Sequence, residues 1–240
     1  MKKAFTLIEV IISIVIIAIA ISAIPSVMVQ TQKSTDLAVA QESILATTTK
    51  LYSIYSYRWD EKSGDRVEDP TVVRIANVNG GDDELDDTGT GSRVGHVIAD
   101  GRNKFFTVSG DYNASLPTEF GANVDLNDDG TAETDFDDID DFHGTTSNLH
   151  SDTLDTGGSG NVDYKRGLEM NATIAYVDDN ATYSANTINF DFNTTALTNS
   201  TNIKMIEVRA TATVLDKNIT FLLRGYATNI GESPLYHRIK

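Results

Sequence analysis

The sequence predicts an α+β protein, in which a long N-terminal helix packs on a C-terminal antiparallel β-sheet and the middle of the chain is rich in loops. Three observations support this prediction. The chain opens with an apolar run over residues 5–29, continues with helical periodicity, and ends with runs of β-branched and aromatic residues. An amphipathic helix and a one-sided sheet each need a partner surface, so the two are expected to pack on each other.

The apolar run has the length of a membrane span. Its only charged residue is Glu9. At about 1.5 Å per residue, a helix of this length crosses a hydrocarbon core of about 30 Å. Lys2 and Lys3 precede the run, and the positive-inside rule places them in the cytoplasm. The rest of the chain is therefore expected outside the cytoplasm.

Two other kinds of N-terminal segment are similarly apolar, namely cleaved signal peptides and plain membrane anchors, and Glu9 and the length of the run argue against both. An ordinary cleaved signal peptide has an apolar region of about 7–15 residues, which is shorter than this run. A plain membrane anchor leaves the acid unexplained, because a carboxylate in the bilayer costs about 3 kcal/mol. No partner for Glu9 lies nearby in the sequence, so the partner is expected to come from another molecule.

The residues around Glu9 resemble a known signature. The segment Lys3-Ala4-Phe5-Thr6-Leu7-Ile8-Glu9-Val10 is similar to the cleavage and methylation motif of type IV prepilins and type II secretion pseudopilins. The resemblance implies that a prepilin peptidase cuts between Ala4 and Phe5 and that an N-methyltransferase modifies the new amine of Phe5. It also implies that Glu9 pairs with the Phe5 amine of a neighbouring subunit, which supplies the opposite charge a buried carboxylate needs. The family usually has glycine where this chain has Ala4.

The resemblance and the composition divide the chain into five parts. In order they are a leader (1–4), a transmembrane and filament-core helix (5–29), an amphipathic helical stem (30–60), a loop-rich acidic region (61–165) and an antiparallel β-sheet head (166–240). This is the pilin-like arrangement that the family has.

The stem is predicted from residues that recur at spacings of three and four. Such spacing forms one stripe along a helix, which is expected to pack on a sheet of the same chain or on other stems. Pro25, in the preceding span, removes a backbone hydrogen bond and is expected to kink or locally melt the helix. The stem is expected to end near Trp59. The stripe consists of Leu37, Ala40, Ile44, Thr47, Leu51 and Ile54.

Four runs near the C-terminus predict the strands of the sheet, at residues 168–177, 187–192, 204–215 and 219–228. Asp216-Lys217-Asn218 lies between the last two runs and predicts the turn of a hairpin.

Charge and composition argue against several functional classes. The formal net charge of −16 repels phosphate, so nucleic acid is not expected as a partner. The lack of cysteine excludes a disulfide framework, a thiolate metal site and a cysteine nucleophile. The four histidines and the scattered carboxylates form no recognisable catalytic set, so an enzyme is not expected.

A calcium site is predicted in the acidic region. Asp125-Leu126-Asn127-Asp128-Asp129-Gly130 fits the first half of an EF-hand-type loop, in which alternate residues direct oxygen atoms inward. The twelfth position holds Phe136 instead of glutamate, so low affinity is expected, about 10⁻⁴–10⁻³ M. A turn without metal is the alternative. The predicted ligands are Asp125, Asn127, Asp129, Thr131, Glu133, Asp135 and Asp137.

Three internal segments resemble parts of minor pilins of the mannose-sensitive haemagglutinin type. They are Arg58-Trp59-Asp60-Glu61, residues 136–144 and residues 204–224. A typical major pilin closes its C-terminal region with a disulfide, which this chain lacks. The resemblance therefore favours a minor pilin or a pseudopilin.

Six asparagines lie in N-x-[ST], and only Asn199 lacks an acid two residues earlier. The longer pattern resembles the acceptor of bacterial oligosaccharyltransferases and predicts periplasmic N-glycosylation on surface loops. The alternative is that acids are enriched in turns and at strand ends. The predicted sites are Asn113, Asn171, Asn180, Asn193 and Asn218.

Together these observations predict a structural subunit of a type IV pilus or a type II secretion-like filament, assembled through its N-terminal helix after processing. Before assembly it is expected as a single-pass inner-membrane protein with its head in the periplasm. The alternative is an exported calcium-binding adhesin domain with an ordinary signal peptide. A pilin keeps residues 5–29 in the mature protein, whereas such an adhesin loses them.

Overall fold

The structure, a computed structural model, describes residues 6–63, 73–81, 85, 103–104, 113–121, 136–150, 167–179, 181–214 and 217–230. The described chain begins with one long helix, α1 (Leu7–Tyr55). It also contains two short 3-10 helices, Glu61–Ser63 and Asp140–Phe142. The strands are β1 (Val73–Arg74), β2 (Asn103–Lys104), β3 (Thr146–His150), β4 (Gly167–Tyr176), β5 (Ile203–Val214) and β6 (Lys217–Thr228).

The main sheet has four antiparallel strands in the order β3-β4-β5-β6. β5 and β6 pair along their whole length, with Ile203 opposite Thr228 and Val214 opposite Lys217. The predicted hairpin is confirmed, but its turn is shorter than predicted. Lys217 and Asn218 were predicted in the turn, and they pair with Val214 and Thr213 as the first residues of β6. β1 and β2 form a separate parallel pair. A long helix packed on an antiparallel sheet confirms the predicted α+β class.

One of the four predicted strands is wrong. Residues 187–192 have no regular structure, although they alternate like a strand. In place of sheet pairing, Phe190 and Phe192 make an edge-to-face contact with 5.0 Å between ring centres. The ring of Phe192 also packs on Tyr226 of β6, with 4.6 Å between ring centres. The segment therefore packs against a side chain of the sheet, Tyr226, and does not add a strand to it. Conversely, β3 forms the outer edge of the sheet within a region that was predicted to be loop.

The helix α1 continues through Pro25 without interruption, so the predicted local melting does not occur. Its two halves differ in exposure. Every side chain of residues 6–34 is exposed, and we call residues 7–34 of α1 the arm. The second half packs across β5 and β6. The helix ends at Tyr55, and Trp59 in the non-helical segment after it is buried in the core.

The predicted stripe of the stem is correct only in its second half. Leu37 and Ile44 were predicted to face the sheet, but they are exposed. The buried residues are spaced by four from Val39 to Leu51 and by three from Leu51 to Ile54, so the small Ser43 lies on the buried side. The residues that α1 buries are Val39, Ser43, Thr47, Leu51 and Ile54.

The core between helix and sheet has two parts. Val39 packs with Met170 and Ala210 at one end. Ile54 packs with Ile206 and other residues at the end where α1 stops. There the ring of Tyr55 lies directly against Gly225, and any Cβ at that position would overlap the tyrosine. The glycine is therefore required by close approach of the helix.

Candidate functional site

Two groups of residues can carry function, one at each end of α1. At the N-terminal end, Glu9 lies in the first turn of the helix. The backbone N–H and the hydroxyl of Thr6 both donate to its Oε2, each at 2.8 Å. The return bond from the N-cap N–H is one half of a capping box. The expectation that Glu9 has no partner in its own chain was therefore wrong for hydrogen bonds, since a residue three positions earlier supplies two.

These hydrogen bonds do not neutralise Glu9. Both donors are neutral groups, so among the described residues the carboxylate has no opposite charge near it; Lys33, the basic residue of the arm, lies 24 residues further along the helix. From residue 7 to residue 29 the arm exposes a largely apolar surface. α1 contains a stretch of mean hydropathy 2.9 that is long and apolar enough to cross a membrane. Such a surface can face lipid or other helices. Ala4 and Phe5, the predicted processing residues, lie outside the described residues.

At the other end of α1, three segments of the chain meet around Lys204 of β5. This lysine is completely buried. Its Nζ donates to the carbonyl oxygen of Trp59 at 2.7 Å, to Oδ2 of Asp60 at 3.1 Å and to Oδ1 of Asp140. An ammonium has three donors, and here each has an acceptor. Lys204 lies on the same face of β5 as Ile206, because side chains alternate along a strand.

Three aromatic rings surround the ammonium. The ring centres of Trp59, Phe120 and Tyr176 lie 4.4, 5.4 and 5.5 Å from Nζ. Two of the rings are themselves fixed by hydrogen bonds. Trp59 Nε1 donates to the carbonyl oxygen of Ala227 at 3.2 Å, and Tyr176 Oη donates to that of Ser115 at 2.8 Å. The rings exclude water and attract the cation.

A further carboxylate, Asp138, holds the surrounding backbone in place. Its Oδ1 accepts from the N–H groups of Asp140 and Asp141 at 2.8 and 3.2 Å, at the start of the second 3-10 helix. Its Oδ2 accepts from the N–H of Glu61 at 2.7 Å. Asp138 thereby connects the segment after α1 to the turn that carries Asp140. We call Asp60, Asp138, Asp140 and Lys204 the buried ion cluster.

Burial and mutual charge shift the pKa values in this cluster. Burial raises the pKa of Asp140 to about 6, although Lys204 acts in the opposite direction. Burial and the neighbouring Asp140 raise the pKa of Asp138 well above its usual value. Burial alone would lower the pKa of Lys204, but the carboxylates of Asp140 and Asp60 outweigh it and raise the pKa well above its ordinary value.

The cluster has the geometry of a cation site that the chain fills itself. One oxygen atom from each of Asp60, Asp138 and Asp140 lies within 4.8 Å of the others. Carboxylate oxygens so grouped can coordinate a divalent ion. Here the ammonium of Lys204 contacts two of the three, so it takes the position that an ion would need.

The predicted calcium loop lies almost wholly outside the described residues, which include only Asp137 of its ligand set. Asp137 is half-buried, and its N–H donates to Oδ2 of Asp141 at 2.8 Å. The calcium site therefore stays a prediction. The predicted ligands that lie outside the described residues are Asp125, Asn127, Asp129, Thr131, Glu133 and Asp135.

The predicted glycosylation sites differ in their surroundings. Asn113 and Asn218 are exposed, and Asn193 is half-buried. Asn171 lies within β4, where its side chain accepts from Thr146 at 2.6 Å and donates to Glu169 at 3.1 Å. Asn180 lies outside the described residues.

The buried ion cluster was not predicted from the sequence. The three internal segments that carry the minor-pilin resemblance contribute all of its members, but nothing in their spacing shows that they meet. Residues 58–61 contribute Asp60, residues 136–144 contribute Asp138 and Asp140, and residues 204–224 contribute Lys204. The one available signal was a lysine inside a run of apolar residues that reads as a buried strand.

Comparison with known families bears on the N-terminus. A family model described as "Prokaryotic N-terminal methylation motif" matches residues 1–25. No curated protein and no solved structure matches the chain significantly. The motif is the signature of type IV pilins and pseudopilins, and it confirms the resemblance seen around Glu9. Together with the long apolar helix and the α+β head, this motif supports a type IV pilin-like or pseudopilin subunit.

Proposed function

We propose that this protein is a minor pilin or pseudopilin, built into a type IV pilus or a type II secretion-like filament through α1 after cleavage between Ala4 and Phe5. The observation that carries the proposal is the arm. It is a fully exposed helical segment that is largely apolar over residues 7–29 and has one acid, and the methylation motif at residues 1–25 covers its first part. Apolar surface of that extent needs lipid or other helices as neighbours.

Processing changes the electrostatics at the start of the arm. Cleavage after Ala4 creates an amine on Phe5, and N-methylation keeps its positive charge. Thr6 already bonds to Glu9 in the same chain. We propose that the Phe5 amine of a neighbouring subunit provides the missing opposite charge, which makes the carboxylate tolerable in an apolar filament core.

The location follows from the same arm. The unassembled subunit is held in the inner membrane, with its head in the periplasm, and it then enters the filament at the cell envelope. The three internal resemblances support a minor subunit of the mannose-sensitive haemagglutinin type. Their meeting at the buried ion cluster supports the view that they form one structural unit.

The test is the N-terminal residue and mass of the mature protein from native membranes or sheared filaments. We expect N-methylated Phe5 as the first residue. Ala4→Gly serves as a matched variant and is expected to be cut at the same bond. A first residue near Ile24 would overturn the proposal, since the arm would then be lost with a signal peptide. That result would favour the exported calcium-binding adhesin domain.

We further propose that the 125–137 loop binds Ca²⁺ weakly, with a dissociation constant of about 10⁻⁴–10⁻³ M. The support is the spacing of its oxygen-bearing residues and Gly130. Calorimetric titration with CaCl₂ should lose its signal in Asp125→Ala and keep it in Asp86→Ala, which alters another acidic segment. Equal signals in both variants would mean that the charge of the chain binds calcium without a defined site.

For glycosylation we propose that the exposed Asn113 and Asn218 are better acceptors than Asn171. The side chain of Asn171 is engaged on both sides within the sheet. Glycopeptide mass analysis of natively purified protein should find glycans at the first two sites. Native protein without any glycan would end this proposal.

A further inference from the structure

We propose that Lys204 and Asp140 join in an intramolecular amide bond, formed by the chain itself without another enzyme. The bond would connect Nζ of the lysine in β5 to Cγ of the aspartate in the second 3-10 helix. This modification does not depend on the filament function, because all the groups it needs lie within the head.

The reacting groups are already in contact. Nζ of Lys204 touches Oδ1 of Asp140, and both side chains are buried to within 1%. An amine held against a carboxyl group reacts as if at a very high concentration, because the entropy of bringing the two together has been lost during folding. The other oxygen, Oδ2 of Asp140, is buried and has no hydrogen-bond partner among the described residues. No described group stabilises a negative charge on this oxygen atom. We therefore assign Oδ2 as the oxygen that is protonated and leaves as water.

Burial acts on both groups in the direction of the neutral forms that must react, since it raises the pKa of Asp140 and opposes the charge of Lys204. The rings of Trp59, Phe120 and Tyr176 replace water around Nζ. In this water-excluded site an ion pair carries a large desolvation penalty. Transfer of one proton from the ammonium of Lys204 to the carboxylate of Asp140 removes both charges and yields a neutral amine and a neutral acid. Burial raises the pKa of Asp140 to about 6, in agreement with this direction of transfer. The neighbouring carboxylates favour the charged lysine, so the neutral pair is the minor, reactive form.

A base stands beside the amine. Oδ2 of Asp60 lies 3.1 Å from Nζ and also accepts the N–H of Ser115 at 3.0 Å, which fixes its position. As Nζ attacks, it must lose a second proton. Asp60 is placed to accept that proton and to return it to the departing oxygen.

The step balances in atoms and charge. The lone pair of the neutral amine forms the Nζ–Cγ bond, and the π electrons of the protonated carboxyl group move to oxygen. Asp60 takes a proton from nitrogen and delivers it to the hydroxyl on Cγ. The C–OH bond then breaks, one water leaves, and the carbonyl reforms. The product is a secondary amide, and no oxidant or other reagent is consumed.

The experiment is peptide mapping of the full chain, purified in detergent from a bacterial host that lacks an oligosaccharyltransferase. Trypsin cannot cut after an acylated lysine. We therefore expect a branched peptide in which residues 105–165 are joined to residues 167–209, lighter than the sum of the two by one water. Recovery of a free peptide that ends at Lys204, with no branched peptide, overturns the proposal.

Substitutions test the roles of Asp140 as the acylating residue and of Asp60 as the base. Asp140→Ala should remove the branched peptide, and Lys33→Met, at an exposed site of the stem, should leave it unchanged. Asp60→Asn should lower the linked fraction, measured at a fixed time after expression, by at least about tenfold, as expected for loss of a general base. A linked fraction that is unchanged in Asp60→Asn overturns the role of Asp60. A branch that joins Lys204 to residues 59–62 instead overturns the role of Asp140.

Discussion

The arm and the buried ion cluster, at opposite ends of α1, each reverse the usual distribution of side chains. In the arm, large apolar residues such as Ile14 and Ile19 are exposed. In the head, Lys204, Asp60 and Asp140 are almost completely buried. Exposed apolar surface and buried charge are both unfavourable unless a partner is present. The head has its partners within the chain, whereas the arm must obtain them from outside.

The contrast is clearest for the two charges, Glu9 and Lys204. Glu9 has two neutral donors from Thr6 and no described opposite charge. Lys204 has two carboxylates and a carbonyl oxygen. The buried charges of the head therefore find their partners within the subunit, whereas the arm needs neighbours from outside it. Four measurements test this distinction.

The largest effect is expected for Glu9→Gln. Glutamine can still accept the N–H of Thr6, so the helix start is preserved while the charge is lost. We expect sheared filaments to contain almost none of the variant, because its pairing with a neighbouring Phe5 is removed. The fluorescence of Trp59, the only tryptophan, should be unchanged. Normal incorporation would contradict the role of the charge.

The second measurement concerns the head. Lys204→Met leaves Asp60 and Asp140 buried without a counter-charge, and the free energy of unfolding should fall by about 3–5 kcal/mol relative to chains that carry no amide link between Lys204 and Asp140. Denaturant unfolding in detergent, followed by Trp59 fluorescence, measures it. The matched control is Lys33→Met, where an exposed substitution should change stability by less than about 0.5 kcal/mol. A small effect in Lys204→Met would show that its ion pairs contribute little net stability.

The third effect is a pH dependence. Folding raises the pKa of Asp140 from 3.8 to about 6, so in this window the folded chain holds a proton that the unfolded chain releases. Stability from this group is therefore greatest at low pH and falls as pH rises through about 4 to 6, by up to about 3 kcal/mol.

Asp140→Asn should remove this fall of the unfolding free energy between about pH 4 and 6, measured by denaturant unfolding at several pH values. An amide to Lys204 also removes the titration, so the slope must be read on chains that carry no link. A slope of the same size in Asp140→Asn would assign it to other carboxylates, such as Asp138.

The smallest effect is expected at the contact between α1 and β6. A Cβ at Gly225 would overlap the ring of Tyr55, so Gly225→Ala should lower the free energy of unfolding by about 1–3 kcal/mol. Gly167→Ala is the control, since nothing lies within 4 Å of a Cβ placed there. Equal stabilities of the two variants would mean that Tyr55 moves aside at no cost.

Local patterns predicted much of this molecule. The apolar run, the position of Glu9 and the three long strands depend on residues that are close in sequence, and each has a periodicity or a composition of its own. The strand prediction was wrong for residues 187–192, because an alternating apolar pattern fits two structures. The segment alternates like a strand, but Phe192 packs on Tyr226, since an aromatic ring is also stabilised by lying over the side chains of a sheet.

Contiguous residues were enough to predict a membrane-length apolar helix with one acid in the pilin signature, because apolar length and motif spacing are local properties. The buried face of the stem and the groups around Lys204 became known only from the folded chain. Asp60 and Asp140 are 144 and 64 residues away from it in sequence. They meet because the register of β5 directs Lys204 to the core face just past the end of α1, and register is set by pairing between strands.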